Sequence, residues 1–204
     1  MFETETTYFT PDDKKKPSGP IPKGKWYAMV IDVDKVLTDK MITSRHDKTV
    51  THLADKYIFR YRLHEDNEGM SFEDTDGNEV LGDDYVGYEV KSNSIWVWKK
   101  SDDPNVTPND AGNFRYSTVL KAVDYPFNVV EMEDSKGEMK KRYELPVDID
   151  DSEIVGKRVI IDVIHNDYSF TNDAGELKEG TSSKELGVYK WEGEPKNNKD
   201  SVPF

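Results

Sequence analysis

A chain of 204 residues is long enough for one domain with a buried core and too short for two domains of ordinary size. Hydrophobic residues make up 35% of it and charged residues 34%, which favours a small β-barrel with long polar loops over a large α/β enzyme. The lack of cysteine excludes disulfides, thiolate zinc ligands and a cysteine nucleophile, and no apolar run suits a membrane span or a signal peptide. We expect a soluble cytoplasmic protein.

The charge is unevenly distributed along the chain. The formal net charge is −13, which on average repels a phosphate backbone. Residues 35–64 nevertheless carry seven lysines and arginines against three aspartates, whereas residues 65–84 carry nine acidic residues and no basic one. This pattern predicts a basic strip beside an acidic loop, although ordinary solvated loops are an alternative.

Residues 1–20 are rich in proline and lysine and are predicted to be a flexible arm outside the folded part, 21–191. The first strand is predicted over Lys25 to Leu37, with Tyr27, Met29, Ile31 and Val33 in phase. The second strand is predicted from Tyr57 to Leu63. Its alternation places one set of side chains on one face, namely Tyr57, Phe59, Tyr61 and Leu63, and a second set on the other, namely Ile58, Arg60 and Arg62.

A third strand is predicted from Val90 to Lys99, where Ile95 and Val97 share one face and Trp96 and Trp98 share the other. If the β-branched pair packs inward, the tryptophans point outward beside Arg60 and Arg62. In the opposite arrangement both tryptophans belong to the core.

A short helix is predicted after residues 109–112, with Asn113 as its N-cap, the apolar positions Tyr116, Val119, Leu120 and Val123, and a stop at Pro126. The fourth strand is predicted over Gly156 to His165 and the fifth over Leu186 to Trp191. A hairpin turn at Asn172 to Gly175 separates them. This order predicts a mainly β fold, the OB-fold: a five-stranded Greek-key barrel with one short helix between strands 3 and 4, long loops and flexible termini.

The outward face of strands 2 and 3 is the predicted binding site for a single nucleic-acid strand. Such binding needs cations for the backbone and aromatic rings for the bases. The predicted cations are Arg60, Arg62, Lys99 and Lys100, and the predicted stacking platforms are Trp96 and Trp98.

The last residues of the chain, Asp200-Ser201-Val202-Pro203-Phe204, have the chemistry of a docking peptide. Phe204 offers an aromatic anchor whose α-carboxylate can pair with an arginine, and Pro203 reduces the entropy lost on binding. Asp200 supplies acidity and Val202 further apolar surface. The polar stretch before them completes a predicted flexible docking tail, 192–204.

This tip resembles the C-terminal tip of bacterial and phage single-stranded DNA-binding proteins, which use it to recruit other proteins. The body is similar to a phage family of single-strand-binding proteins at Ile21-Pro22-Lys23-Gly24 and at Gly156-Lys157-Arg158-Val159. The resemblance implies a protein that coats single-stranded DNA in replication, recombination and repair. It implies replication and recombination proteins as partners and, for a phage protein, the host cytoplasm as location.

Other chemistry is set aside. The histidines His46, His52, His64 and His165 lack metal-site spacing, and Asp74 to Asn78 is better explained as a turn than as a calcium loop. We expect no cofactor, no metal, no membrane partner and no enzymatic activity, and a homo-oligomer is compatible with this interpretation. The alternatives are a β-barrel interaction or structural module that does not bind DNA and, less favoured, a metal-dependent nuclease.

Overall fold

The computed structural model describes residues 17, 19–36, 41–43, 51–98, 110–133, 136–146 and 148–192. These residues are mainly β. One helix, α1 (Asp110–Ala122), accompanies the following strands in chain order: β1 (Gly24–Val36), β2 (Met41–Thr43), β3 (Thr51–Leu63), β4 (Ser71–Glu73), β5 (Glu79–Leu81), β6 (Glu89–Ser92), β7 (Ile95–Trp98), β8 (Asn128–Glu133), β9 (Met139–Glu144), β10 (Arg158–Thr171) and β11 (Leu177–Lys190).

Five of these strands close into a ring, in the order β1, β10, β11, β6, β3 and back to β1. The pairings are antiparallel except between β11 and β6, which run parallel. Strands β2 and β7 also pair with β3, while β4 with β5 and β8 with β9 form separate two-stranded sheets. Closure satisfies the backbone groups that an open sheet would leave unpaired at its edges.

The core fills the inside of the ring. Tyr57, Phe59, Tyr61 and Leu63 of β3 are all buried, so the predicted alternation of this strand is confirmed. Trp26 is fully buried and stacks on Phe72, with ring centroids 3.5 Å apart. Helix α1 packs against β7 and β11, and its predicted apolar positions Tyr116, Val119 and Leu120 are buried, as is Val123 just after it.

The predicted inward phase of β1 is wrong for most of the strand. Trp26, Ala28 and Val30 are buried, and a bulge between Val30 and Asp32 then shifts the phase so that Val33 is buried as well. A bulge places two residues of one strand opposite one of its partner and so reverses the alternation. This shift brings Asp32 and Asp34 to the outside.

The other predicted strands differ from the structure mainly in length, while β2, β4, β5, β8 and β9 have no counterpart in the prediction. The predicted third strand is divided into β6 and β7, because the Ser92 hydroxyl accepts a hydrogen bond from the Phe59 backbone N–H at 3.0 Å and interrupts the ladder. Strands β10 and β11 are longer than predicted and are joined by the expected turn, in which the Asn172 side chain accepts hydrogen bonds from the N–H groups of Ala174 and Glu176. Asn113 is not an N-cap, because it lies inside α1.

Candidate nucleic-acid interface

Strand β7 shows the predicted alternation between buried and exposed side chains. Ile95 and Val97 are buried, whereas Trp96 is 38% exposed on the outside of the ring. The outward orientation predicted for Trp96 is therefore confirmed. The Trp98 backbone pairs with that of Ala54, but its side chain lies outside the described residues, as do Lys99 and Lys100.

A lysine accompanies Trp96 on the outer face. Lys56 of β3 is directly opposite Trp96 in the antiparallel register, and its ammonium lies 6.0 Å from the centroid of the indole ring. A cation near an aromatic face is attracted by the ring quadrupole and positions that ring. Lys56 and Trp96 thus place a positive charge beside an aromatic surface.

Both predicted arginines lie on the outer face, but each is already paired with carboxylates. Arg60 donates to Asp34 with an Nη2 to Oδ2 distance of 2.8 Å, and its Nε lies 3.3 Å from Asp32 Oδ2. The hydrogen bond to Asp34 raises the pKa of the Arg60 guanidinium. Arg62 pairs with Glu89 at 2.9 Å. Solvent-exposed pairs of this kind contribute about 0 to 1 kcal/mol, so a phosphate can compete for these guanidinium groups at small cost.

A row of basic residues crosses three neighbouring strands of the ring. Lys91 of β6 is opposite Arg60 of β3 on one side and opposite Lys184 of β11 on the other. Two strand spacings separate the ends of this row, which corresponds to about 10 Å. Among the described residues, neither lysine has an acidic group within ion-pairing distance, so Lys91 and Lys184 are better placed to bind a phosphate than the paired arginines.

This row could not be predicted from the sequence pattern alone. Lys91 and Lys184 lie far apart in the chain, and only the parallel pairing of β6 with β11 brings them together. Lys91 alternates with the buried residues Val90 and Ser92, which is the signal that could have indicated its outward position.

The β10–β11 hairpin extends this face beyond the ring. From residue 166 to residue 182 the two strands pair only with each other within the described part of the chain, and we call this segment the arm. Tyr168 and Phe170 are exposed on it, with ring centroids 6.2 Å apart and nearly parallel planes. Tyr168 is opposite Gly180, four residues from Lys184, so alternation places Tyr168 on the same sheet face as Lys184.

Gly180 permits the position of the Tyr168 ring. A Cβ atom at residue 180 would lie 2.6 Å from the Tyr168 hydroxyl, too close for any side chain without movement of the ring. The glycine therefore lets the aromatic ring lie against the neighbouring strand. At the base of the arm, His165 Nε2 and the Ser183 hydroxyl both contact the Ile21 carbonyl, at 2.8 and 3.2 Å, which fixes the arm to the start of the domain.

The acidic segment, residues 65–84, contains the predicted turn. Asp74 Oδ1 accepts hydrogen bonds from the backbone N–H groups of Asp76 and Asn78, each at 2.8 Å. Hydrogen bonds from the Asn78 backbone and side chain are the main reason that the pKa of the Asp74 carboxyl is lowered. Asp74 therefore acts as a turn-forming residue, as predicted.

A comparison of the chain with protein-family models gives no match, and a comparison with curated proteins gives none. Within the described ranges, no helix is both long and apolar enough to cross a membrane. The same ranges contain no group of three or more His, Asp or Glu side chains placed to hold a metal ion.

Proposed function

We propose that this protein binds single-stranded DNA on the outer face of an OB-fold. The pairing of the ring strands supports the fold. Counted in chain order, the first strand pairs with the second and fourth, and the third pairs with the second and, in parallel, with the fifth. A five-stranded Greek-key barrel would have these pairings, and the position of α1 between the third and fourth ring strands also supports the proposed OB-fold. OB-folds bind oligonucleotides on the face of strands 2 and 3.

The row of Arg60, Lys91 and Lys184, on the same outer face as Trp96, is the observation that carries this proposal. A sequence-tolerant binder combines a positive track for the phosphates with aromatic faces for the bases. The row supplies the positive track, Trp96 supplies one aromatic face, and Tyr168 with Phe170 on the arm supplies a second. Lys99, Lys100 and Trp98 extend this site in the proposal.

The net charge of −13 is consistent with a preference for single strands. A duplex presents a dense and rigid array of phosphates and keeps its bases stacked inside, so it gains nothing from exposed aromatic rings. A flexible strand can present its bases to Trp96 while its phosphates follow the basic row. The acidic remainder of the surface then disfavours the binding of a duplex.

The proposed nucleic-acid site is not arranged as a nuclease centre. Two carboxylates of β1, Asp32 and Asp34, both contact the Arg60 guanidinium. The positive charge of the guanidinium between these two acidic groups repels the divalent ions that a two-metal site requires. Binding without cleavage is therefore the function that this face supports best.

The proposal also assigns residues 200–204 to the recruitment of replication and recombination proteins. Phe204 would occupy an apolar pocket of a partner while Asp200 contacts a basic side chain. A pull-down from cell extract with the intact chain and with Phe204→Ala tests this role. We expect the variant to lose these partners and to keep its DNA affinity, and recovery of the same proteins by both chains would refute it.

Fluorescence anisotropy of labelled oligo-dT, measured at increasing salt and repeated with duplex DNA of equal length, tests the DNA-binding function. We expect saturable binding of oligo-dT that weakens with salt, and much weaker binding of the duplex. Equal affinity for both forms would refute single-strand preference, and no binding of either would favour a protein-interaction module. Loss of the label from oligo-dT after addition of magnesium would instead indicate a nuclease.

A further inference from the structure

A groove runs along the seam between helix α1 and strand β11. It consists of two adjoining cavities of about 420 and 540 Å³ that share Thr118, Val188 and Tyr189 in their walls. The buried residues Val119 and Val188 contribute to its aliphatic floor. This groove is separate from the row of Arg60, Lys91 and Lys184.

One end of the groove is apolar and exposed. Phe114 of α1 is 74% exposed and Leu186 of β11 is 53% exposed, and Tyr189 lies beside them. The absence of a side chain at Gly187 leaves room for the Tyr189 ring, because a Cβ atom there would lie 3.2 Å from the Tyr189 hydroxyl. Three large apolar side chains clustered around one cavity indicate a contact site for another molecule.

The other end of the groove is basic. Lys25, Lys121 and Lys190 line the larger cavity, and a small cavity of about 90 Å³ continues from it along Lys157 and Arg158. Two acidic residues, Asp124 and Glu192, line the same cavities. Five basic side chains against two acidic ones give a local excess of positive charge in a chain whose net charge is −13.

The basic end also contains cation–π pairs. The Lys25 ammonium lies 4.9 Å from the centroid of the Tyr189 ring, and the Arg158 guanidinium lies 5.4 Å from that of Trp191. These contacts hold the cations at the wall of the groove, where an anionic group entering it would meet them.

We propose that this groove binds a short acidic segment of a partner protein that carries an aromatic or branched aliphatic anchor residue. The anchor would lie between Phe114 and Leu186, over the aliphatic floor. The acidic residues of the segment would lie against Lys25 and Lys121, and at Lys190 they would compete with Asp124, whose Oδ1 lies 2.6 Å from the Lys190 ammonium. Apolar burial supplies most of the affinity, and charge complementarity sets the orientation of the segment.

A peptide fits this groove better than a nucleic acid because the positive charge is confined to one end. At the apolar end, the Arg115 guanidinium contacts Glu185, at 3.2 Å from Oε2 and 3.0 Å from the backbone carbonyl. Glu185 is almost fully buried, so this contact draws the cation toward the core. A nucleic acid carries a phosphate at every nucleotide and needs cations along its whole track, whereas a peptide can carry its charge at one end only.

The test uses the full-length chain and a fluorescein-labelled peptide of the sequence Asp-Asp-Glu-Asp-Gly-Ser-Phe-Leu. We expect saturable binding that is about tenfold weaker in Phe114→Asp and in Leu186→Asp, since each substitution places a charge where the anchor binds. Met139→Asp is the matched control, because Met139 is 62% exposed on β9, which is not part of the groove. Lys25→Glu combined with Lys121→Glu should weaken the peptide by a similar factor and reduce its salt dependence.

The outcomes separate this inference from the proposed DNA-binding function. Oligo-dT affinity should be unchanged in all of these groove variants, whether or not the peptide binds. Lack of saturable peptide binding, or equal peptide affinity in Leu186→Asp and Met139→Asp, would overturn the docking site. A loss of oligo-dT affinity in the groove variants would also overturn it, because the groove would then be a nucleic-acid surface.

Discussion

Replacing Trp96 with alanine should weaken the binding of oligo-dT without unfolding the protein. A tryptophan side chain buries about 150 to 250 Å² when it is fully covered. Trp96 is 38% exposed, so about 60 to 95 Å² remains for a base to cover. At about 25 cal/mol per Å² this area corresponds to about 1.4 to 2.4 kcal/mol, or about a tenfold to fiftyfold increase in Kd.

The neighbouring residue Ile95 provides a matched control for this substitution. It lies on the same strand as Trp96 but is buried in the core, so Ile95→Ala should cost about 2 to 5 kcal/mol of unfolding free energy. The folded fraction of that variant should bind oligo-dT with nearly unchanged affinity. Comparing Trp96→Ala with Ile95→Ala thus distinguishes a loss of DNA binding from a loss of stability.

Anisotropy titration for binding and urea unfolding for stability are the assays. Base stacking on an exposed Trp96 is refuted if Trp96→Ala binds oligo-dT as tightly as the unaltered protein. It is refuted equally if this substitution destabilises the fold as much as Ile95→Ala does.

Three further predictions concern the basic row, the arm and the core. Replacing both Lys91 and Lys184 with glutamine should lower the slope of the logarithm of the oligo-dT binding constant against log salt by about 1.4, since each phosphate contact to a single strand contributes about 0.7. An unchanged slope in salt titrations would exclude both contacts. Tyr168→Ala should weaken oligo-dT by about 1 to 3 kcal/mol if bases stack on the arm, and anisotropy of that variant beside Val129→Ala, an exposed residue on β8, would detect it. Burial raises the pKa of the Glu185 carboxyl, so the stability of the protein relative to Glu185→Gln should be greatest below the ordinary Glu pKa of 4.5 and should fall as the pH rises through the folded-state pKa. Urea unfolding of both proteins between acid and neutral pH measures this difference in stability. A difference that grows with pH would contradict the prediction.

The parts of the fold that depend on local alternation could be predicted from the sequence. The faces of β3 and the outward position of Trp96 follow from a period of two residues, which is a local property of a strand. The bulge between Val30 and Asp32 reverses the alternation of inward and outward side chains within β1, and the residue types around the bulge do not predict this reversal. The prediction of an N-cap at Asn113 was wrong because α1 already includes Asp110, three residues before it.

The parts of the site that depend on long-range pairing could not be predicted. Lys184 joins Lys91 only through the parallel contact between β11 and β6, which closes the ring. The arm was missed because its strands have no buried face beyond His165, so the hydrophobic pattern used to recognise strands is absent there. The sequence signal for the arm was the pair of aromatic residues Tyr168 and Phe170, which lie two residues apart before a predicted turn.

Photocrosslinking tests most directly whether a single strand lies on the outer face of the ring and arm. Oligo-dT substituted with iodouracil would be bound to the full-length protein at low salt, irradiated, and its attachment sites mapped by mass spectrometry. The account predicts crosslinks at Trp96 and at Tyr168 or Phe170, which salt and unlabelled oligo-dT should suppress together. Crosslinks confined to Phe114, Tyr189 or other residues of the α1–β11 groove, or none at saturating oligo-dT, would contradict it.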